Sequence, residues 1–271
     1  MTEYFPFDKD RPLIMAHWSN PLAAPQNTLE ALRSGVEAGA DVLETDLRLT
    51  KDNELVLFHD DNMLQTSGID TTVRDLTLDE FLDTDICSAT SYDGGDTFPF
   101  SGWGAKGVSL RDALSEFPEM VFNLDMKDSF KEVPDILTDL IRELGREQSV
   151  IVASYNDAQI DRFRHLMPSV PTSACPSEVS RFVFAVNMRL TRAVARNPQY
   201  RVFQVPLDYG RIKVLDTRFV EAAHKRNIAV HAWTINDRET MEHLLDVGVD
   251  GIFTDDPKML RELLADRGLL T

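Results

Sequence analysis

Cysteine, net positive charge and long apolar runs are all scarce in this sequence of 271 residues. Cys87 and Cys175 are the only cysteines and form no CxxC pair, so the chain has no disulfide framework. Lys and Arg number 28 against 45 Asp and Glu, which gives a net charge of −17. Because such a surface repels phosphate backbones, nucleic acid is not expected as a partner.

The distribution of apolar residues limits the cellular setting and the domain count. No apolar run approaches the roughly 18 residues that a membrane-spanning helix needs, so no stable membrane insertion is expected. The segment Met1 to Asp10 carries acidic residues and no apolar stretch, so no secretory signal is visible. Apolar residues make up 43% of the chain, enough for a sizeable core. We therefore expect one acidic, cytoplasmic domain spanning residues 1–271, with an oligomeric state that the sequence leaves open.

Strand-like apolar runs alternate with helical patterns along almost the whole chain. The predicted strands cover residues 13–16, 41–49, 55–58, 121–126, 150–153, 170–174, 202–205, 228–233 and 251–254. One clear helix has its apolar stripe between Val133 and Leu144, with Gly145 as its C-terminal cap. Alternation of this kind predicts parallel strands, and about eight of them favour an α/β TIM (β/α)8 barrel over a doubly wound sheet.

Two local patterns refine this prediction. Asn27 and Glu30 are spaced as a capping box at the start of the first helix. Residues 60–109 break the alternation with clusters of Ser, Thr, Asp and Gly around one short helical piece near Leu78 to Leu82. We interpret this interval as an insertion that follows an early barrel strand and covers the mouth of the barrel.

Paired charged residues occur on two of the predicted strands. Glu44 and Asp46 are two residues apart and therefore point to the same face, and Asp125 and Lys127 repeat that spacing. Each carboxylate has the alternative of a simple ion pair with a nearby cation. Three carboxylates at the ends of two strands would also form an oxygen cage suited to Mg²⁺ or Ca²⁺.

Two histidines follow predicted strands at positions typical of a barrel active site. His17 follows the strand 13–16 and His59 follows the strand 55–58. Two imidazoles at such positions can share acid–base work, one accepting a proton while the other donates one. His231 lies within a predicted strand, and its role stays open.

The ordered combination of motifs resembles the glycerophosphodiester phosphodiesterase family. The family's His-Arg-Gly, Pro-Glu-Asn-Thr, Gly-Ala-Asp, Glu-x-Asp, Thr-Lys-Asp, His-Asp and Glu-x-Lys segments are matched here by residues 17–19, 25–28, 39–41, 44–46, 50–52, 59–60 and 125–127. The closing signatures of the family are matched by residues 232–236 and 248–257. The resemblance spans nearly all of the chain.

The resemblance implies a fold, a reaction and roles for particular residues. It implies a TIM barrel that hydrolyses a small-molecule phosphodiester to sn-glycerol 3-phosphate and an alcohol. Glu44, Asp46 and Asp125 would hold a divalent metal ion, Mg²⁺ or Ca²⁺. His17 and His59 would be the acid–base pair, and Lys127 would contact phosphate.

The sequence departs from the family pattern at three positions. Trp18 stands in place of the family arginine, Ser19 in place of the following glycine, and Asp125 in place of a glutamate. Loss of the arginine removes a cationic contact to phosphate, and the indole of Trp18 instead offers a wall for the alcohol part of the substrate. Trp233 follows a strand and is a second candidate for that contact, with core packing as its alternative. We therefore expect an active hydrolase with a shifted substrate preference.

Two other functions compete with this one. A lysophospholipase D-like activity needs an apolar groove, to which Trp18 with Trp103 or Phe98 would contribute. A barrel that binds phosphorylated metabolites without turnover is the non-enzymatic alternative.

Overall fold

The computed structural model describes residues 10–188, 198–210 and 212–270. Its strands are β1 (Leu13–Ala16), β2 (Val42–Leu49), β3 (Leu55–Leu57), β4 (Val121–Met126), β5 (Val150–Ala153), β6 (Val202–Val205), β7 (Asp208–Tyr209), β8 (Ile212–Lys213), β9 (Ala229–Ala232) and β10 (Gly251–Thr254). Its α-helices are α1 (Leu29–Glu37), α2 (Leu64–Ser67), α3 (Leu78–Asp83), α4 (Leu110–Glu116), α5 (Val133–Leu144), α6 (Asp157–Leu166), α7 (Pro176–Asn187), α8 (Thr217–His224), α9 (Arg238–Val247) and α10 (Pro257–Asp266).

The principal sheet is a ring of parallel segments. Its strands follow the order β5-β4-β2-β1-β10-β9-β6, with parallel pairing throughout this path. Residues 171–174 join the two ends, because Thr172 forms a parallel bridge with Val152 and Ser173 forms one with Val202. The predicted strand 170–174 is thus reduced to bridges, yet it supplies the eighth segment of a TIM barrel. The closed ring excludes the doubly wound sheet.

Side chains on the barrel strands alternate between two apolar environments. Leu43, Leu47 and Phe122 point outward and pack with the surrounding helices in one continuous core. Val42 and Val121 point inward and belong to a separate cluster in the barrel interior. The next inward positions along β2 and β4 carry polar residues, so the two-residue period of the strands leads from an apolar floor to a polar upper end.

The strand β3 does not belong to the parallel ring, which corrects the prediction for residues 55–58. It pairs antiparallel with β2, Leu57 opposite Leu47 and Leu55 opposite Leu49. The connection between the two strands is too short for a parallel crossover, which needs a dozen residues or more. Thr50 N instead donates to Glu54 O at 2.9 Å and closes a tight turn.

The helix termini show one correct and one incorrect sequence prediction. Helix α5 covers Val133–Leu144 and ends at Gly145 with φ +63°, as the pattern predicts. The capping box at Asn27 and Glu30 is wrong, because Thr28 is the N-cap of α1 and accepts a hydrogen bond from Ala31 N. Asn27 is buried and serves the polar end of the barrel.

Residues 60–109 form the inserted segment between β3 and α4. Its short helices α2 and α3 pack with the outer side of β3 around a small separate core, centred on Phe58, Met63 and Phe81. Gly107 is required there, since a Cβ atom would lie 2.4 Å from the ring of Phe81. Cys87 and Cys175 are both buried free thiols. In the described part of the chain, no helix is long and apolar enough to cross a membrane.

Candidate active site

A cavity of about 1010 Å³ opens at the carboxyl ends of the barrel strands. Side chains from most of the barrel strands and from α7 line it. The structure brings to this one cavity all eight residues that were given roles in catalysis, metal binding or substrate binding: His17, Trp18, Glu44, Asp46, His59, Asp125, Lys127 and Trp233. The carboxyl end of a TIM barrel is where enzymes of this fold carry out their chemistry.

The carboxylates are arranged by the pairing of β2 with β4. Asp46 lies directly opposite Asp125, and Glu44 lies one inward position below, opposite Asn123. Lys127 Nζ lies between the two strands, 2.7 Å from Oδ2 of Asp125 and 3.0 Å from Oδ1 of Asp46. The charged residues predicted on two separate strands therefore form one buried cluster.

The cluster holds more negative charge than Lys127 neutralises. Burial, together with the neighbouring Asp46, raises the pKa of Glu44 to about 7. Burial also raises the pKa of Asp125. Burial disfavours the charged form of Lys127, but the carboxylates of Asp125 and Asp46 outweigh burial and raise the pKa of its ammonium group. His17 also lowers the pKa of Glu44 through its charge, so Lys127 is not the only positive neighbour of the acidic groups.

The donor set fits a hard divalent cation in chemistry and in charge. Among the residues that the structure describes, no group of three His, Cys, Asp or Glu side chains is arranged to hold a metal ion directly. The ammonium group of Lys127 stands between two of the three carboxylates. Oδ1 of Asp125 is nevertheless buried without a hydrogen-bond partner, as expected of an oxygen meant for a cation. Displacement of the ammonium group would free the oxygen donors.

His17 is held in place by an acidic residue from the neighbouring strand. It directly follows β1, and its Nδ1 lies 2.6 Å from Oδ1 of Asp255, which follows β10. The second carboxylate oxygen of Asp255 accepts from the side chain of Asn236. Burial opposes protonation of His17, but the hydrogen bond with Asp255 and the charge of Glu44 raise its pKa. Because a carboxylate can only accept, Nδ1 carries the proton that it shares with Asp255.

His59 reaches the cavity by a route that the sequence pattern did not predict. The antiparallel strand β3 returns toward the barrel, and Phe58 N donates to the carbonyl oxygen of Asp46 at 3.0 Å. His59 is the next residue, and its Nδ1 lies 2.7 Å from Oδ1 of Asp60. The guanidinium group of Arg48 donates to the carbonyl oxygen of His59 and fixes its backbone. Each of the two histidines therefore has its Nδ1 occupied by a carboxylate.

Trp18 lies between the two imidazoles. Its ring stacks on His17 at a centroid distance of 4.4 Å and meets His59 edge-on at 4.9 Å. Trp18 and Ser19 both have positive φ angles, +46° and +64°. Such angles favour glycine, so Ser19 stands where a glycine would be free of backbone strain. Its hydroxyl donates to the carbonyl oxygen of Glu44, which ties this turn to β2.

Several functional neighbours were not assigned roles from the sequence. Asn27 donates from Nδ2 to Asp46 at 3.1 Å, and its Oδ1 accepts from Thr45. Asn123 accepts a hydrogen bond of 2.6 Å from Gln204 across the barrel. Asn27, Asp60 and Asp255 all lie within the segments that match the family motifs, and this position could have indicated a functional role. Asn123 and Gln204 had none, because their meeting depends on closure of the barrel.

The apolar wall of the cavity differs from the one predicted. Trp103 and Phe98 are exposed on the inserted segment, and the described lining residues include none from 60–109. Helix α7 supplies the wall instead, with Val179 and Val183 facing the cavity. Trp233 also lines the cavity and meets Tyr155 edge-on at 6.2 Å. The expectation for Trp103 and Phe98 is therefore wrong, since Trp103 instead meets Phe100 of the same inserted segment edge-on at 5.2 Å.

Fold and site together define a TIM-barrel enzyme with an acidic and histidine-rich centre. Residues 17–259 match the model of the glycerophosphoryl diester phosphodiesterase family, and the chain belongs to that family. It is 28% identical to a glycerophosphodiester phosphodiesterase of Caldanaerobacter subterraneus, over 94% of this chain and 99% of the relative. It is 23% identical to a lysophospholipase D of Rattus norvegicus, over 88% of this chain and 82% of the relative.

A solved structure supports the same fold. The chain superimposes with a TM-score of 0.72 on an Oleispira antarctica phosphodiesterase in complex with its product sn-glycerol-3-phosphate. Identity is 21%, and the match covers 94% of this chain and 97% of that one. The likeness extends to the whole barrel.

Proposed function

We propose that the protein hydrolyses glycerophosphodiesters to sn-glycerol 3-phosphate and an alcohol, with His17 and His59 as the acid–base pair. The main support for this proposal is that each imidazole shares its Nδ1 proton with a carboxylate. Both rings line the cavity that also holds the acidic cluster. With Nδ1 occupied, Nε2 is the nitrogen of each ring that remains for proton exchange with substrate. Membership of the family supplies the substrate class.

The two histidines carry out two proton transfers, one ring as the base and the other as the acid. One Nε2 removes the proton from the nucleophile, either water or a neighbouring hydroxyl of the glycerol, as the new bond to phosphorus forms. The other Nε2 donates its proton to the alcohol oxygen as the bond from phosphorus to that oxygen breaks. When water attacks, the proton gained by one ring and the proton lost by the other balance, and the solvent restores both rings. When the glycerol hydroxyl attacks, water must still open the cyclic phosphate.

Glu44, Asp46 and Asp125 would hold a divalent cation, Mg²⁺ or Ca²⁺, through their carboxylate oxygens. When bound, such an ion offsets the negative charge of the phosphodiester and of the oxygens that gain charge during reaction. Lys127 adds a positive charge at the same end of the cavity. Once a cation displaces the ammonium group from Asp46 and Asp125, Lys127 would contact a phosphate oxygen of the substrate.

The proposal is tested by turnover of glycerophosphocholine and glycerophosphoethanolamine by the purified protein. We expect glycerol 3-phosphate to form, to disappear with EDTA and to return with Mg²⁺ or Ca²⁺. His17→Ala is expected to lower kcat by at least about 100-fold, the usual contribution of a general acid or base. His165→Ala is the matched control, because His165 is exposed on α6. Stabilisation by metal without turnover would favour the non-catalytic binding barrel.

A second activity, of the lysophospholipase D type, is favoured by the apolar half of the same cavity. Beyond the polar cluster the lining is mainly aliphatic, with Ala174, Val179, Val183, Val205 and Val214. A volume of about 1010 Å³ is at the upper end for a small-molecule site, which leaves space beyond a glycerophosphate group. This aliphatic lining suits a single acyl chain. The similarity to a relative named lysophospholipase D supports the same activity.

Two substrates separate the activities. Choline release from lysophosphatidylcholine and from glycerophosphocholine would be compared for the wild type and for Val183→Asn. We expect the polar substitution to reduce kcat/KM for the acylated substrate more than for the other. Equal losses for both would contradict a chain-binding role for α7.

A further inference from the structure

Four large side chains around the opening of the cavity are exposed to solvent. Phe184 is 64% exposed, Met188 55%, Tyr155 61% and Tyr209 76%, and all four also line the cavity. We call these four residues the apolar rim. They come from three separate elements: the loop after β5, the end of α7 and the β7–β8 hairpin. Single exposed apolar residues are ordinary, but a group at one opening marks an interaction site.

The rim continues into the apolar wall of the cavity. Val179, Val183 and Phe184 of α7 and Met188 directly after its last residue all line the same cavity. The interior members are partly buried, whereas Phe184 and Met188 are largely exposed. Apolar side chains therefore lead from solvent to the site along this helix, beside the polar Ser180 and Asn187, which line the same cavity. Among the described residues, no apolar side chain covers Phe184 or Met188 at the outer end of this wall.

We propose that the apolar rim rests on an electrically neutral lipid surface and receives the apolar chain of the substrate from it. This inference rests on the proposed function, in particular on turnover of glycerophosphodiesters that carry one long chain. A net charge of −17 disfavours approach to anionic lipid, so the surface is zwitterionic. Tyrosine suits such a position, since its ring enters the apolar layer while the hydroxyl stays with the headgroups.

Binding to vesicles tests the surface without any turnover. Co-sedimentation would be measured with phosphatidylcholine vesicles and with vesicles rich in phosphatidylglycerol. We expect binding to phosphatidylcholine and weaker binding to the anionic vesicles. The double variant Phe184→Ser, Met188→Ser is expected to lower the partition coefficient by about tenfold or more, because two large apolar contacts are removed. Tyr209→Ser, at the most exposed position, is a second variant whose fold is not at risk.

The matched controls lie at the other end of the barrel. Val36 in the last turn of α1 and Leu269 after α10 are 38% and 39% exposed. Because the helices run back from the cavity end, Val36→Ser and Leu269→Ser should leave vesicle binding nearly unchanged. Equal losses in the controls, no binding to phosphatidylcholine, or tighter binding to anionic vesicles would each overturn the proposal. So would dimerisation that the rim substitutions abolish, since the rim would then be an interface between copies.

Failure of the surface is distinguishable from failure of the proposed function. Turnover of water-soluble glycerophosphocholine by the wild type reports on the function alone. Vesicle binding with no turnover of any phosphodiester would overturn the function and support the surface. Turnover without vesicle binding would overturn the surface and support the function.

Discussion

At the scale of single residues, Trp18 contributes to holding the two histidines of the candidate site. The indole contacts both imidazole rings, so their orientations depend on aromatic packing as well as on their carboxylate partners. The sequence analysis singled out both histidines and Trp18. For Trp18 it predicted only a contact with the alcohol part of the substrate. The stacking was not predictable, because it requires the turn after β1 and the return of β3 to meet.

Asp255 is the residue outside the predicted set with the clearest consequence. It binds Nδ1 of His17 and thereby selects the ring tautomer with the proton on Nδ1. Asp255→Asn presents an amide that can stabilise the other tautomer, so we expect kcat to fall by about 100-fold or more with a smaller change in KM. Steady-state kinetics with glycerophosphocholine would measure the two constants separately.

The control for Asp255→Asn is Asp246→Asn. Asp246 is paired with Arg267 on the surface, far from the cavity lining. An unchanged kcat in the Asp255 variant, with normal thermal stability, would show that His17 needs no carboxylate partner.

At the scale of elements, strand positions were predictable and strand partners were not. The apolar runs located β4, β5 and β6 with the observed boundaries, because buried parallel strands consist of nearly continuous apolar residues. The antiparallel pairing of β3 was missed because a short apolar run predicts a strand without indicating whether it pairs parallel or antiparallel. The length of the connection, residues 50–54, held the information that a parallel crossover was excluded.

Thr28 provides a test of the corrected start of α1. Its hydroxyl accepts from Ala31 N and donates to the carbonyl oxygen of Pro25 at 2.6 Å, in a fully buried position. Thr28→Ala removes both bonds, so we expect the free energy of unfolding to fall by about 1–2 kcal/mol. Urea denaturation monitored by circular dichroism would measure the loss.

Glu30→Ala is the informative comparison for Thr28→Ala. A true capping box would make the two losses similar. Since Glu30 is not at the third helical position after the cap, its substitution should change stability by less than about 0.5 kcal/mol.

At the scale of the whole molecule, the sequence predicted a barrel but not which residues its strands bring opposite one another. The two-residue spacing placed Glu44 with Asp46, but only the register between β2 and β4 sets Asp46 opposite Asp125. The pair of His17 and Asp255 likewise joins residues 238 positions apart through β1 and β10. The residue pattern within one strand does not indicate which strand lies beside it. The resemblance to the family motifs is what grouped residues of different strands.

The barrel interior also sets how stability depends on pH, through His231. This residue of β9 is fully buried, and burial lowers the pKa of its imidazole to about 4. The unfolded chain, with an ordinary pKa near 6.5, therefore binds more protons than the folded protein between about pH 4 and pH 6.5. The stabilisation from the neutral imidazole is therefore complete above pH 6.5 and is lost as the pH falls toward 4.

We expect His231 to make stability fall by about 3 kcal/mol between pH 6.5 and pH 4, from the size of the pKa difference. His231→Gln has no group that titrates in this range, so its free energy of unfolding should vary less with pH. Urea denaturation at half-unit steps would measure both slopes, and their difference isolates His231 from the carboxylates. His165→Gln, at an exposed helix position, should keep the wild-type slope. Parallel slopes for the wild type and His231→Gln would show that the buried imidazole is protonated equally in both states.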